Sequence, residues 1–395
     1  MADSPTGKSF LTEKPSGSPA IPSMPAFFVN ETAVRLDRER RIARYRSVFD
    51  EVYKKNRSHF DALASKGDGH SGYYMQYVLD GTLCMYEATS DEDYLKQALS
   101  WAEAMVSKAE VIDALGTRNW RGKEVSSHAE SPHSSMLEDL QGSTELARAA
   151  RIVLKEPGLK KKYGKRAEAL KRFVKEDILR KHLDGRKSLK WFISDADEYG
   201  EALNDKTALL LSILSDIHLI DGEGEELLEK LAKSFHRRLQ PYRGGLIWDK
   251  GLGWEGHSSA DTSHANRFPS AAIDLHRAGV VFTQDDLKGL SALLVNVIWN
   301  GSSQDPRFTN FIDGTNGPFR KRGPWANGRI DSGWVALGEF DPKVQALGEA
   351  VLDSILMKKR NPSLDYMNTP YGILGLSGHL AKNARSMKAA PSLNP

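Results

Sequence analysis

The feature that most constrains this chain is a recurring helical signal of two alternating characters. Candidate helix starts near His70, His133, Tyr199, His264 and Arg329 fall at intervals of about 65 residues, the rhythm of an array of similar supersecondary units. Apolar residues recur at three and four spacing in Tyr73–Tyr86, Ser134–Leu154, Glu201–Leu219, Ser263–Ala278 and Pro370–Ala384. Between these stretches lie further helices, more charged and Lys-rich, such as Tyr163–Lys181. No block of alternating strands with hairpin turns interrupts them. Helices of two kinds, joined in pairs, predict a ring in which one set packs together and the other faces water. The expected fold is therefore all-α, an (α/α)n toroid of six or seven helical hairpins. It forms a single domain over residues 32–395, with a flexible Pro-, Ser-, Gly- and Ala-rich tail over 1–31.

Composition narrows the function. Forty per cent of residues are hydrophobic, enough for a sizeable core, and 27% are charged. No apolar run reaches the roughly 18 residues that a membrane span needs. The formal net charge of +3 lacks the basic excess of a nucleic-acid protein, so neither nucleic acid nor membrane is expected as a partner. The only cysteine, Cys84, cannot form an intrachain disulfide and reads as a small buried hydrophobe in an apolar stretch. The N-terminal tail lacks the basic and apolar regions of a secretory signal. If a signal had been removed, a secreted or periplasmic location would be favoured.

If the inner helices all run one way, their N-termini gather on one face of the ring. Unpaired N–H groups and a partial positive charge then favour an anionic ligand there. Polar and aromatic residues cluster at those starts. They include His70-Ser71-Gly72-Tyr73-Tyr74, then Asn119-Trp120-Arg121 followed by Glu138 and Gln141, and Tyr199 with Asn204. They continue with Trp254 and His257, Asp261 to Arg267, the Asn310–Arg329 loop, and Tyr366, Asn368 and Tyr371. One histidine at a helix start is usually a cap, and Lys160-Lys161-Lys162 is a solvated face. Several segments supplying such residues at one topological level instead mark a site on a rigid scaffold.

The densest segment is Asp261-Thr262-Ser263-His264-Ala265-Asn266-Arg267. Ser263 reads as the N-cap, and His264 and Arg267, three apart, share a helix face. Asp261 can hold the imidazole in one tautomer. This grouping suits proton abstraction beside a carboxylate. With no HExxH and no Cys/His cluster, no metal is expected, and with no nucleotide fingerprint, no cofactor.

The Asp261–Arg267 run, the Tyr-rich helix ending Met85-Tyr86-Glu87-Ala88-Thr89, the Phe308–Gly314 segment and Gly333-Trp334 resemble α/α-toroid polysaccharide lyases. The nearest are those acting on alginate and glucuronan (polysaccharide lyase family 38), with the likeness spread over Tyr73 to Gly378. The resemblance implies an anionic polysaccharide substrate and β-elimination without a redox cofactor. It implies neutralising and orienting roles for Asn204, His264 and Arg267, and a proton-transferring role for Tyr199, Tyr242, Tyr371 or His257. It further implies sugar stacking by Trp120, Trp254 and Trp325, and carboxylate binding by Arg243, Arg320 and Arg322. Gln141 and Asn266 complete the substrate-binding candidates. A glycoside hydrolase on the same scaffold, using two carboxyl groups among Glu201, Glu255, Asp261, Asp313 and Asp331, is the alternative. A uronate C5-epimerase or a non-catalytic sugar-binding protein are further ones.

Overall fold

The computed structural model describes residues 31–123, 130–131, 134–183, 205–248, 259–317, 328–359 and 361–387. Twelve helical segments order the described residues. They are α1 (Glu31–Ala64), α2 (Gly69–Thr89), α3 (Glu92–Ser107), α4 (Met136–Lys155), and α5 (Pro157–Arg172, continuing through a π-helical stretch to Leu183). Then come α6 (Asp205–Asp221), α7 (Glu225–His236), α8 (Thr262–Ala265 and Arg267–Arg277) and α9 (Gln284–Leu293, extended to Ile298). The last are α10 (Ser332–Ala336, ending in a 3-10 turn), α11 (Pro342–Leu356) and α12 (Pro370–Ser386).

The even-numbered helices pack in sequence, α2 on α4, α4 on α6, α6 on α8, α8 on α10, α10 on α12, and α12 back on α2. That closes a ring of six. The odd-numbered helices lie outside it, each against an inner neighbour. The chain is an α/α toroid.

Burial explains the two roles. Inner helix α6 is buried without a break from Thr207 to Ile217. Outer helix α7 buries only Leu228, Leu231, Ala232, Ser234 and Phe235, the stripe of a helix with one wet face. Local signals set the ends. Asp68 caps α2 through the Ser71 amide, Asp91 caps α3, and Ser135 with Glu138 and Thr283 with Asp286 form capping boxes for α4 and α9. Ring closure between α2 and α12 depends on glycine. A Cβ on Gly81 would lie 2.6 Å from the Leu374 carbonyl, and one on Gly378 would lie 2.5 Å from the Gly81 carbonyl oxygen.

Three short antiparallel ladders decorate the connections, contrary to the purely helical reading: β1 (Val111–Ile112) with β2 (Arg118–Asn119), β3 (Gly122–Lys123) with β4 (Glu130–Ser131), and β5 (Gln240–Tyr242) with β6 (Gly245–Ile247). The last is a hairpin whose turn residues, Arg243 and Gly244, both have positive φ, 46° and 80°. That backbone matches the twist of a two-residue hairpin.

Candidate functional site

Because inner and outer helices alternate in direction, the inner N-termini share one mouth of the ring. Asp261, not Ser263, caps α8, and its Oδ1 accepts from the Ser263 and His264 amides at 3.2 and 3.1 Å. The Ser263 hydroxyl also donates to it. Its Oδ2 accepts from His264 Nδ1 at 2.7 Å. Burial alone would raise the Asp261 carboxyl; the His264 imidazole and the hydrogen bonds from His264 and Ser263 outweigh it and hold the group at about 2. A carboxylate on Nδ1 selects the tautomer whose lone pair is on Nε2. The His264 side chain keeps 29% exposure while Asp261 keeps 1%.

This turn is braced from the next connection. Thr262 donates its amide to the Asn310 carbonyl (2.9 Å) and its hydroxyl to the Thr309 carbonyl (2.7 Å), and the Trp334 indole donates to the Thr262 carbonyl (3.0 Å). The Phe308–Gly314 and Gly333-Trp334 segments thus set the position of the Asp261–His264 pair.

Arg267 opens the second part of α8 and is buried. Its Nε and Nη2 donate to Gln141 Oε1 at 3.0 and 2.6 Å, Nη2 donates to the Tyr73 hydroxyl at 3.0 Å, and Nη1 lies 3.3 Å from Asp205. Helices α2 and α8 are opposite one another in the ring. The guanidinium therefore crosses the barrel axis and forms a floor beneath the mouth. Asn266 donates to the Ser263 carbonyl (2.5 Å) and to Asp331 (3.4 Å). Arg329 in turn donates to Asp331 at 3.0 Å and places its guanidinium carbon 3.8 Å from the Tyr366 ring centroid. Burial raises the Asp331 carboxyl even though Arg329, Arg267 and His264 act to lower it. Rings continue around the mouth from Tyr366 to Tyr77 to Tyr73, and from His70 to Tyr74 to Tyr371.

Of the residues named from sequence, His264, Arg267, Gln141 and Asn266 meet here. Tyr371 lies at the same mouth but binds His59 Nε2 at 2.7 Å and packs on Tyr74. Trp120 must be corrected. It is 1% exposed, its ring packs on Phe173, and its indole donates to the Met105 carbonyl at 2.8 Å, so no ring face is left for a sugar. Tyr242 and Arg243 also sit differently from expectation. The Tyr242 hydroxyl donates to the Asp313 carbonyl at 3.0 Å, and the Arg243 guanidinium lies over the Tyr242 ring in a hairpin packed on α9. Asn204, Tyr199, His257, Trp254, Arg320, Arg322 and Trp325 lie outside the described residues. Tyr73, Asp205 and Arg329 received no role from sequence.

Below the floor, the axis is polar. Arg148 donates to Asp80 (2.7 Å), Glu87 (2.6 Å) and Glu145 (3.2 Å), and His379 Nε2 lies 2.9 Å from Asp80. A cavity of about 60 Å³ runs among these groups up to Arg267. Burial, which lowers the His379 imidazolium, is outweighed by Asp80 and Cys84, which bring it to about 10. Burial pushes Glu145 up to about 8, against the pull of Arg148. Cys84 is buried, yet its sulfur faces this network rather than hydrocarbon, 3.1 Å from Arg148 Nη2. Asp80, Cys84 and His379 place donor atoms within 4.8 Å of one another. Arg148 already fills that position with its own charge, so the donor set does not suit a metal cation.

No protein-family profile matches the chain, and neither does any curated protein. The polyuronate-lyase resemblance therefore rests on the quoted residues alone. Among solved structures, the chain is similar to an inactive variant of alpha-1,6-mannanase, GH76A of Salegentibacter sp. HEL1_6, in complex with alpha-1,6-mannotetrose. Identity is 15%, coverage 80% of this chain and 88% of that one, and the TM-score 0.43. A second inactive variant of the same enzyme, in complex with alpha-1,6-mannotriose, gives 15%, 80%, 89% and 0.43. Among the described residues no helix is long and apolar enough to cross a membrane.

Proposed function

We propose that this chain is a carbohydrate-processing enzyme that cleaves a uronic-acid-containing polysaccharide by β-elimination. The observation that carries the reading is the Asp261–His264 pair, oriented one helical turn from an arginine that binds a tyrosine hydroxyl. β-Elimination needs a base for the C5 proton, an acid for the departing O4 oxygen and a counter-charge for the carboxylate. His264 Nε2 takes the proton, and Asp261 stabilises the imidazolium that results. The C5–H electron pair forms the C4–C5 double bond as the C4–O bond breaks. The Tyr73 hydroxyl supplies the proton to the leaving oxygen, and Arg267 offsets the charge then left on the phenol oxygen. Arg329, part-exposed between Asp331 and Tyr366, meets the uronate carboxylate. Tyr74 and Tyr371 offer ring surface to the sugars.

One observation favours glycoside hydrolysis as a second reading. Asp331 is a buried carboxyl raised above its ordinary value, as a general acid requires. Against it, Asp261 spends its oxygens on His264, Ser263 and two amides.

The test is ultraviolet absorbance during incubation with alginate, glucuronan and related polymers, with reducing ends counted in parallel. Elimination creates a conjugated double bond, and hydrolysis does not. Rising absorbance that is lost in His264→Ala supports the lyase. New reducing ends with flat absorbance, lost in Asp331→Asn, support the hydrolase.

A further inference from the structure

We propose that a basic pocket beside the mouth, formed by Lys66, Lys108 and Arg121, is a remote subsite for a second acidic group on the same glycan chain. This rests on the reading of an acidic polysaccharide substrate. The pocket is an open one of about 360 Å³, lined by Ser65–Gly67, Lys108, Glu110, Val111 and Arg121.

The backbone builds it. The turn from α1 into α2 is held between two hydrogen bonds from one residue of the facing loop. Arg121 donates its amide to the Gly67 carbonyl at 3.2 Å, and its carbonyl accepts from the Gly69 amide at 2.8 Å. Gly67, at φ +75°, lets this turn lie against the Lys108 carbonyl, which a Cβ would approach to 3.0 Å. Three cations are thus brought together on fixed backbone.

Two of the three charges are weakly answered from within. The Arg121 guanidinium has no carboxylate partner among the described residues; its one contact is the Lys66 carbonyl at 3.5 Å. Lys108 lies 3.9 Å from Glu110, which is itself 73% exposed. Lys66 is answered by Asp68, whose Oδ2 lies 3.3 Å from it while Oδ1 caps α2 through the Ser71 amide, so the cations left for a ligand are Arg121 and Lys108. An oxyanion bridging Arg121 and Lys108 would meet charges that the fold leaves available.

Position supplies the functional link. The turn leads directly into α2, whose first turns carry His70 and Tyr73. At 1.5 Å per residue, Gly69 and Tyr73 are separated by about 6 Å along the helix. A polymer held at Tyr73 and leaving the mouth on the α2 side passes this pocket. A saccharide too short to extend beyond the mouth does not reach it.

The experiment uses the full chain carrying His264→Ala, so that substrate is bound without turnover. Affinity is measured by titration calorimetry for a dimer and for a roughly ten-residue oligomer of a polyuronate, and for a sulfated neutral glycan of similar length. The Lys108→Gln/Arg121→Gln pair should weaken the long polyuronate by roughly tenfold, at about two- to fivefold per exposed cation. The dimer should be unaffected, and so should a control pair, Lys160→Gln/Lys161→Gln, on the outer face of α5. If the sulfated glycan alone loses affinity, the pocket reads sulfate instead of carboxylate, and the polyuronate assignment falls. Unchanged long-chain affinity, or an equal loss for dimer and oligomer, overturns the subsite while leaving the catalytic reading intact. A parent that binds none of the polymers overturns the catalytic reading itself.

Discussion

Replacing Asp261 by Asn isolates the charge on which the proposed base depends. The amide oxygen can still accept from the Ser263 and His264 amides, so the α8 cap is retained in outline. What disappears is the negative charge 2.7 Å from His264 Nδ1. The group is buried and held at about 2, against an ordinary 3.8. At about 1.4 kcal/mol per pH unit, that gap is worth about 2 kcal/mol of folding stability. Its sign follows from the direction of the shift. A depressed carboxyl stabilises the fold above its unfolded value and loses that contribution as pH falls through its folded value. Denaturant unfolding of Asp261→Asn at pH 7 should therefore show a loss of about 2 kcal/mol, vanishing between about pH 4 and pH 2. Activity should fall much further, by roughly 10²–10⁴ in kcat/KM, because the amide neither holds the required tautomer nor stabilises the imidazolium. His264→Gln should lose a similar factor, and the double variant little more, since the two residues act as one unit. An Asp261→Asn enzyme within threefold of wild type, or a double variant whose losses multiply, would refute the dyad.

Tyr73→Phe should lower kcat/KM by roughly 10²–10⁴ on polyuronates while costing about 1 kcal/mol of stability, because Arg267 keeps Gln141 and Asp205; parallel kinetics and thermal melts would separate the two effects. Trp120→Ala should destabilise by about 3–5 kcal/mol, as emptying a core aromatic site does. At a temperature where that variant remains folded, KM should be unchanged, whereas a sugar platform would raise it. For Glu145, a folded-state value near 8 against an ordinary 4.5 means that the fold prefers the protonated form. Its contribution is complete below about pH 4.5 and is lost as pH rises towards 8. Glu145→Gln should accordingly flatten the decline in denaturant midpoint between pH 5 and pH 8, and an unchanged slope would reject the assignment.

The parts of this molecule that can be read from sequence are those whose information is local. The ring follows from periodicity: α6 reads apolar on all sides and α7 on one stripe, and that contrast separates inner from outer helices without any knowledge of their partners. The Asp261–His264 pair is legible for the same reason, since both residues lie in one turn. The cap itself is misassigned to Ser263, because serine and aspartate are equally good N-caps and only the backbone decides between them. The β5–β6 hairpin is missed because its arms are three residues each, too short for alternation to register, and its turn uses Arg243 where asparagine would have been the signal. Trp120 misleads because its neighbours Asn119 and Arg121 look like loop. The ring is received in the space left by Gly142, where a Cβ would lie 3.3 Å from the indole, and that absence is visible only once α4 is in place. The Arg267–Tyr73 contact joins positions 194 residues apart, on helices facing each other across the ring. Neither residue signals the other. What can be read is that Tyr73 and Tyr77 share a face of α2 and that His264 and Arg267 share a face of α8. Closing six hairpins into a ring turns those two faces towards each other, so the Arg267–Tyr73 floor is set by ring closure rather than by any one segment. It follows that loosening the α2–α12 seam at Gly81 or Gly378, far along the chain from α8, should disturb Arg267 as surely as a substitution beside it.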